Sequence, residues 1–131
     1  MIDHISIAVR DLKKGEAFYT ALLAPLGMAK LREWPDAAIG FGKKYPEFWI
    51  NRRAAMDRVA DDSGAHICLR APSAEAVDAF HAAALAAGGT SDGGPGVRPE
   101  YHQTYYAAFI RDPDGNRIEA VTFGPLGRAG A

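Results

Sequence analysis

His4-Ile5, then Ala17-Phe18, Ala21, Leu23-Ala24 and Gly27, returns as His66-Ile67, then Ala79-Phe80, Ala83, Leu85-Ala86 and Gly89, each position 62 residues further on. Self-similarity at one fixed offset makes the repeated stretch, rather than the whole chain, the unit of folding. The match is partial, since Asp3 falls on Ala65. With 131 residues the chain fits one ordinary domain with a real core, so two half-size modules sharing that core are expected. The boundaries read as module one over 2–52, a crossover over 53–63, module two over 64–123 and a short tail over 124–131, all in a single domain over 1–131.

Within module one, residues 2–9 alternate at period two, with His4, Ser6 and Ala8 on one face and Ile5, Ile7 and Val9 on the other. The more apolar face should pack on a helix. Asp11 is placed to cap that helix, along which Leu12, Phe18 or Tyr19, Leu22, Leu23 and Leu26 recur before Pro25 and Gly27 end it. Gly15 weakens it slightly. Three short strands follow over 28–33, 37–41 and 47–51, separated by Pro35-Asp36 and by the turn residues from Gly42 to Pro46.

Module two repeats the order. Residues 65–71 place His66, Cys68 and Arg70 on one face and Ile67 and Leu69 on the other. Pro72 stops the strand, Ser73 caps the next helix with Glu75 in its first turn, and Val77, Phe80, Ala84 and Ala87 trace the buried stripe. Residues 90–99 contain Gly93-Gly94-Pro95-Gly96 and read as a weak strand passing into a loop. The clearest hairpin joins 105–111 to 117–123 through Asp112-Pro113-Asp114-Gly115-Asn116, with Pro113 suited to the first corner and Gly115 to a left-handed position. Each half is then a strand, a helix and three strands. The fold class is α+β, with two βαβββ modules pairing their sheets around a shared cleft.

Composition excludes several roles. Fifteen basic and sixteen acidic side chains leave a formal charge of −1, so no global field draws the protein to nucleic acid or anionic lipid. No apolar run approaches the roughly eighteen residues that span a bilayer, and no leader precedes the first strand, so a cytoplasmic location is expected. The single cysteine, Cys68, cannot form an intramolecular disulfide, and its apolar surroundings suggest a small buried hydrophobe. No phosphate-gripping G-x-x-x-x-G-K-[ST] pattern occurs.

Glu119 shares a strand face with Arg117 and Val121. If that face lines the cleft, it can look toward His4 and His66, which the repeat places in equivalent poses. Two neutral imidazoles and one carboxylate suit Zn²⁺, Ni²⁺, Mn²⁺, Co²⁺ or Fe²⁺ with positions left open for water or substrate. The plain alternative has His4 hydrogen-bonded beside Asp3, and Glu119 paired with Arg70, Arg111 or Arg117.

With these residues placed, the chain resembles the vicinal oxygen chelate superfamily, which includes glyoxalase I, bleomycin-resistance proteins, fosfomycin-resistance transferases and extradiol dioxygenases. The resemblance rests on Asp3-His4-Ile5, on Gly64-Ala65-His66-Ile67 and on Asp112-Pro113-Asp114-Gly115-Asn116-Arg117-Ile118-Glu119, in that order. It implies paired βαβββ modules, a homodimer and, in the family's enzymes, a divalent metal that binds vicinal oxygens of a substrate. His4, His66 and Glu119 match three customary ligand positions. Glu47, beside Phe48-Trp49, is the obvious carboxylate for a fourth. The function so implied is a glyoxalase-like metalloenzyme acting on a small oxygen-bearing substrate by isomerase, lyase or related chemistry. Glu119, Glu47 and His102 are the candidate bases. Around the metal, Tyr101, His102, Tyr105 and Tyr106 are placed to bond or stack on substrate, and Arg70 or Arg111 to meet its anion. The alternatives are a ring-cleaving dioxygenase and a non-catalytic binding protein of bleomycin-resistance type, for which Trp34, Phe41, Trp49, Tyr105 and Phe109 supply apolar surface.

Overall fold

A computed structural model describes residues 1–124. The tail expected over 124–131 lies, beyond Gly124, outside the described residues. The elements run β1 (Ile5–Val9), α1 (Leu12–Leu23), a 3₁₀ turn (Ala24–Leu26), β2 (Ala29–Trp34), β3 (Ala38–Gly42), β4 (Phe48–Arg52), β5 (Ile67–Arg70), α2 (Ala74–Ala86), β6 (Thr90–Val97), β7 (Tyr106–Arg111) and β8 (Arg117–Thr122). They build two four-stranded sheets of identical order, β1-β4-β3-β2 and β5-β8-β7-β6. In each, the first strand pairs parallel with the last, and the other pairs are antiparallel.

Both helices begin where their caps direct. The Asp11 carboxylate accepts from Lys14 N at 3.1 Å, and the Ser73 hydroxyl accepts from Ala76 N at 3.1 Å. Helix α1 buries Leu12, Gly15, Phe18, Tyr19, Leu22 and Leu23. Gly15 does more than lower propensity: a Cβ there would stand 3.1 Å from Ile50 Cδ1 and 3.2 Å from Val9 Cγ2, so its absence lets the helix lie close on the sheet. Helix α2 buries Ala76, Val77, Phe80 and Ala84. Ala87, expected on that stripe, is the exposed C-cap instead. The strand expected to fade into a loop after Thr90 continues through the glycines to Val97, because register shifts on both sides of Gly93 absorb its irregular backbone.

One apolar core runs through both modules, with Phe18, Leu22 and Leu23 from α1, Phe41, Phe48 and Ile50 from the first sheet, and Phe80, Ile110 and Ile118 from the second half. Burying each large side chain contributes roughly 1.5–3 kcal/mol. Polar contacts lock the halves where they meet. Tyr19 Oη donates to Asp112 at 2.6 Å, Arg10 Nε donates to Asp114 at 2.7 Å, and Asn116 Nδ2 donates to the Ala8 carbonyl at 2.9 Å. The Asp112–Asn116 turn is therefore both a hairpin end, with Gly115 at φ +90°, and a clasp on module one.

Candidate functional site

Strand alternation leaves each sheet with one face on the helices and the core and one face open. On the second sheet, Cys68 pairs in register with Glu119, and Glu119 with Phe109. These residues, with His66, Arg70, Tyr105 and Phe123, share the open side. On the first sheet, His4, Ser6, Trp34, Ala38, Tyr45, Pro46 and Trp49 line an open hollow of about 360 Å³.

The centre of the second face is Glu119, only 2% exposed although it is a carboxylate. Burial of such a group is costly unless both oxygens are bonded. Both are: His66 Nε2 donates to Oε1 at 3.0 Å and Tyr105 Oη donates to Oε2 at 2.5 Å. The tyrosine is fixed by edge-on contacts with Tyr101 and Phe123, ring centroids 5.0 and 5.1 Å away. Partial burial and the bond to Glu119 push the Tyr105 phenol well above its usual range, so it stays protonated and donates. Desolvation, with the Glu119 charge next, pushes the Cys68 thiol up to about 12. Cys68 is not a buried hydrophobe. It is exposed on the open face, because its strand position shares the parity of His66, which the apolar neighbours in sequence obscured.

His66 and Glu119 meet, but His4 does not join them. Its Nδ1 donates to Asp3 at 2.7 Å, its side chain is 54% exposed, and Asp3 also accepts from Tyr45 Oη at 2.8 Å. The His4 bond, then that of Tyr45, lowers the pKa of Asp3. Among the described residues of one chain, no three His, Cys, Asp or Glu side chains gather as a metal cluster. His4 and His66 nevertheless border one cleft of about 520 Å³, together with Asp3, Lys43, Glu47, Cys68 and Arg70. Glu47 is thus in the cleft, exposed, without a bond to the Glu119 pair.

The remaining candidates divide. Tyr105 bonds Glu119 and Tyr101 packs on Tyr105, whereas Tyr106 faces the other way and donates to Asp78 of α2 at 2.6 Å. That bond raises its pKa to about 12 and removes it from the cleft. Arg111 is held by Asp61 at 2.7 Å and lies 3.5 Å from Asp92. His102 bonds Thr104 at 3.1 Å and lies edge-on to Phe123. Trp49 belongs to the first sheet's face, its Nε1 donating to the Pro46 carbonyl at 2.9 Å and its ring 6.0 Å from that of Trp34. Phe123 and the neighbourhood of Cys68 were missed as site members. Counting in twos from Glu119 along its own strand reaches Val121 and Phe123, and was the signal available.

Two matched βαβββ modules, each with one open sheet face, define a class of small α+β proteins. The family model described as the glyoxalase, bleomycin resistance protein and dioxygenase superfamily matches residues 1–120, and the chain belongs to that family. Among solved structures, a glyoxalase/bleomycin resistance protein from Albidiferax ferrireducens is 33% identical, covers 90% of this chain and 95% of its own, and superposes with TM-score 0.78. A Listeria monocytogenes fosfomycin resistance protein mutant, complexed with Mn(II) and 1S,2S-dihydroxypropylphosphonic acid, has the same fold at 18% identity, with coverage of 92% and 88% and TM-score 0.68. A family enzyme from Burkholderia phytofirmans does so at 22% identity, with coverage of 93% and 98% and TM-score 0.68. A search of curated proteins finds no match. Among the described residues no helix is long and apolar enough to cross a membrane.

Proposed function

We propose that this protein is a divalent-metal-dependent enzyme of glyoxalase-like type that acts on a small oxygen-bearing substrate by isomerase, lyase or related chemistry. The observation that carries the proposal is the Glu119 carboxylate, buried on an open sheet face with an imidazole nitrogen at 3.0 Å. Folding alone would favour an apolar residue there. A neutral imidazole and a carboxylate oxygen, converging beside a cleft, suit a divalent ion of intermediate softness such as Zn²⁺, Mn²⁺, Fe²⁺, Co²⁺ or Ni²⁺. The Mn(II) complex of the fosfomycin resistance relative is consistent with that choice. His66 and Glu119 would hold the ion, and His4 of a second copy would supply the third donor in a homodimer that lays module one of one chain over module two of the other. Support for that assignment comes from His4 itself, exposed and apart from the other two, and from the uncovered hollow around it.

When bound, the ion supplies Lewis acidity to a vicinal oxygen pair. The chain's own residues do the rest. Tyr105 restrains Glu119 Oε2, which leaves Oε1 on the His66 side and makes Glu119 a fixed ligand rather than a departing base. Proton transfer then falls to Glu47, the exposed carboxylate in the same cleft. Phe123 and Phe109 supply apolar surface beside Tyr105 and His66, with Tyr101 packed edge-on against Tyr105.

Metal analysis of untagged protein tests this directly. The expected result is about one tightly held divalent ion per chain, lost in His66→Ala and Glu119→Ala with the fold retained. Persistent absence of metal after reconstitution overturns it. A binding role without turnover is favoured by one separate observation, the Trp34–Trp49 pair on a hollow lined mainly by apolar atoms. Tight uptake of an aromatic ligand by metal-free protein would support that role.

A further inference from the structure

Four arginines border the open face of the second sheet, and three are already engaged. Arg111 holds Asp61 at 2.7 Å and approaches Asp92 at 3.5 Å. Arg117 also approaches Asp92 at 3.5 Å, and donates to the carbonyls of Ser63 at 2.7 Å and Asp61 at 2.5 Å. Arg98 lies over Phe109, 5.4 Å from its centroid, and donates to the Gly94 and Gly96 carbonyls at 2.7 and 2.9 Å.

Arg70 differs from all three. Its guanidinium sits over the Phe123 ring, 5.0 Å from the centroid, and no carboxylate or carbonyl among the described residues accepts from it. Glu119, the obvious carboxylate on this face, bonds His66 and Tyr105 instead. The arginine is nevertheless built into the site, since it alternates with Cys68 on β5 and with His66 just before it, and lines the cleft with them. A guanidinium braced on a ring, with its N–H fork unspent, is arranged to receive a planar oxyanion in two parallel bonds.

We infer that Arg70 anchors a carboxylate of the substrate, distinct from the oxygen pair that reacts at His66 and Glu119. The inference rests on that pair being the site of chemistry, as proposed above. A carboxylate is favoured because its two coplanar oxygens match the planar N–H fork of Arg70, Lys43 being the other cation that lines the cleft. Arg70 lies two residues beyond Cys68, the register partner of Glu119, a backbone rise of about 7 Å at ~3.3 Å per residue, so its strand position is offset from that of the oxygen-pair site. The substrate class is therefore a small acid whose carboxylate is several bonds from its vicinal oxygens.

The test compares 2-oxoglutarate with 2-oxopentanoate, which share the oxygen pair and differ in the distal carboxylate. Affinities are measured by ligand-observed NMR on the full chain, both metal-free and reconstituted with Zn²⁺, whose uptake is determined separately. Wild type should prefer 2-oxoglutarate about three- to tenfold in both states, as for a partly exposed charged pair. Arg70→Ala should abolish the preference, lowering affinity for 2-oxoglutarate more than for 2-oxopentanoate, and Arg70→Lys should retain part of it. Equal binding of the two acids by wild type, binding of neither, or a preference that survives Arg70→Ala overturns the inference. Failure of the metal proposal is read independently: a charge preference without Zn²⁺ uptake removes the metal and leaves Arg70 in place.

Discussion

At Cys68, exposure and reactivity part company. The side chain is open to reagents, yet a thiolate there would lie beside the Glu119 carboxylate in a partly desolvated setting, which moves its pKa to about 12. Because the thiolate is the nucleophile, alkylation should be about a thousandfold slower than for an ordinary cysteine near 8.5. The rate of iodoacetamide labelling of metal-free protein at pH 8, folded and in denaturant, measures this. It should rise about tenfold per pH unit toward 12, and Glu119→Gln should accelerate it by removing the charge. Equal rates in the folded and denatured chain would refute the geometry around Glu119. Position and parity are readable from sequence, so His66, Cys68 and Glu119 could be placed on one face. The raised pKa of Cys68 could not be, because it depends on how the rest of the sheet packs around the thiol and brings Glu119 beside it.

Elements carry the next constraints. Strand β3 passes Trp49 so closely that a Cβ on Gly40 would stand 2.8 Å from the indole Cε2 and 2.9 Å from Pro46 Cβ. Gly40→Ala should displace the indole, cost about 1–3 kcal/mol in urea unfolding, and shift tryptophan emission. An unchanged midpoint and spectrum would contradict the packing of this face. The β7–β8 turn makes a prediction in pH. Burial raises the pKa of Asp112 above its usual value, although bonds from Tyr19 and Asn116 pull it down. A carboxyl that holds its proton more tightly when folded contributes stability that is fully present below the ordinary carboxylate pKa and is lost as pH rises through the raised one. The Tm of wild type minus that of Asp112→Asn should therefore fall as pH rises from below the ordinary carboxylate pKa through the raised one. A difference that grows with pH would mean that the bonds outweigh burial. Hairpin and caps were legible here because short-range turn chemistry decides them. The full length of β6 was not, because register shifts against β7 rescue a glycine run that has little strand propensity of its own.

For the whole molecule, the decisive question is how the modules face one another. The duplication, the two sheets and the shared core follow from local periodicity, which each segment carries within itself. The placement of His4 relative to His66 does not, since it is set by the clasp of Tyr19, Arg10 and Asn116 across the modules and by how α1 meets the Gly89 corner, where a Cβ would lie 2.9 Å from Phe18. The clasp joins the modules while His4 and the Glu119 pair remain apart, so the third ligand is expected in trans. Mixing decides this. His4→Ala and Glu119→Ala chains, each unable to hold metal alone, are unfolded together in equal amounts and refolded. In a twofold dimer with sites shared between copies, half of the dimers are mixed and each mixed dimer keeps one intact site beside one doubly altered site. Metal content should recover to about a quarter of the wild-type value. Recovery of none, with wild type refolded in parallel retaining its full content, would place all three ligands within one chain and require module one to swing His4 across the cleft.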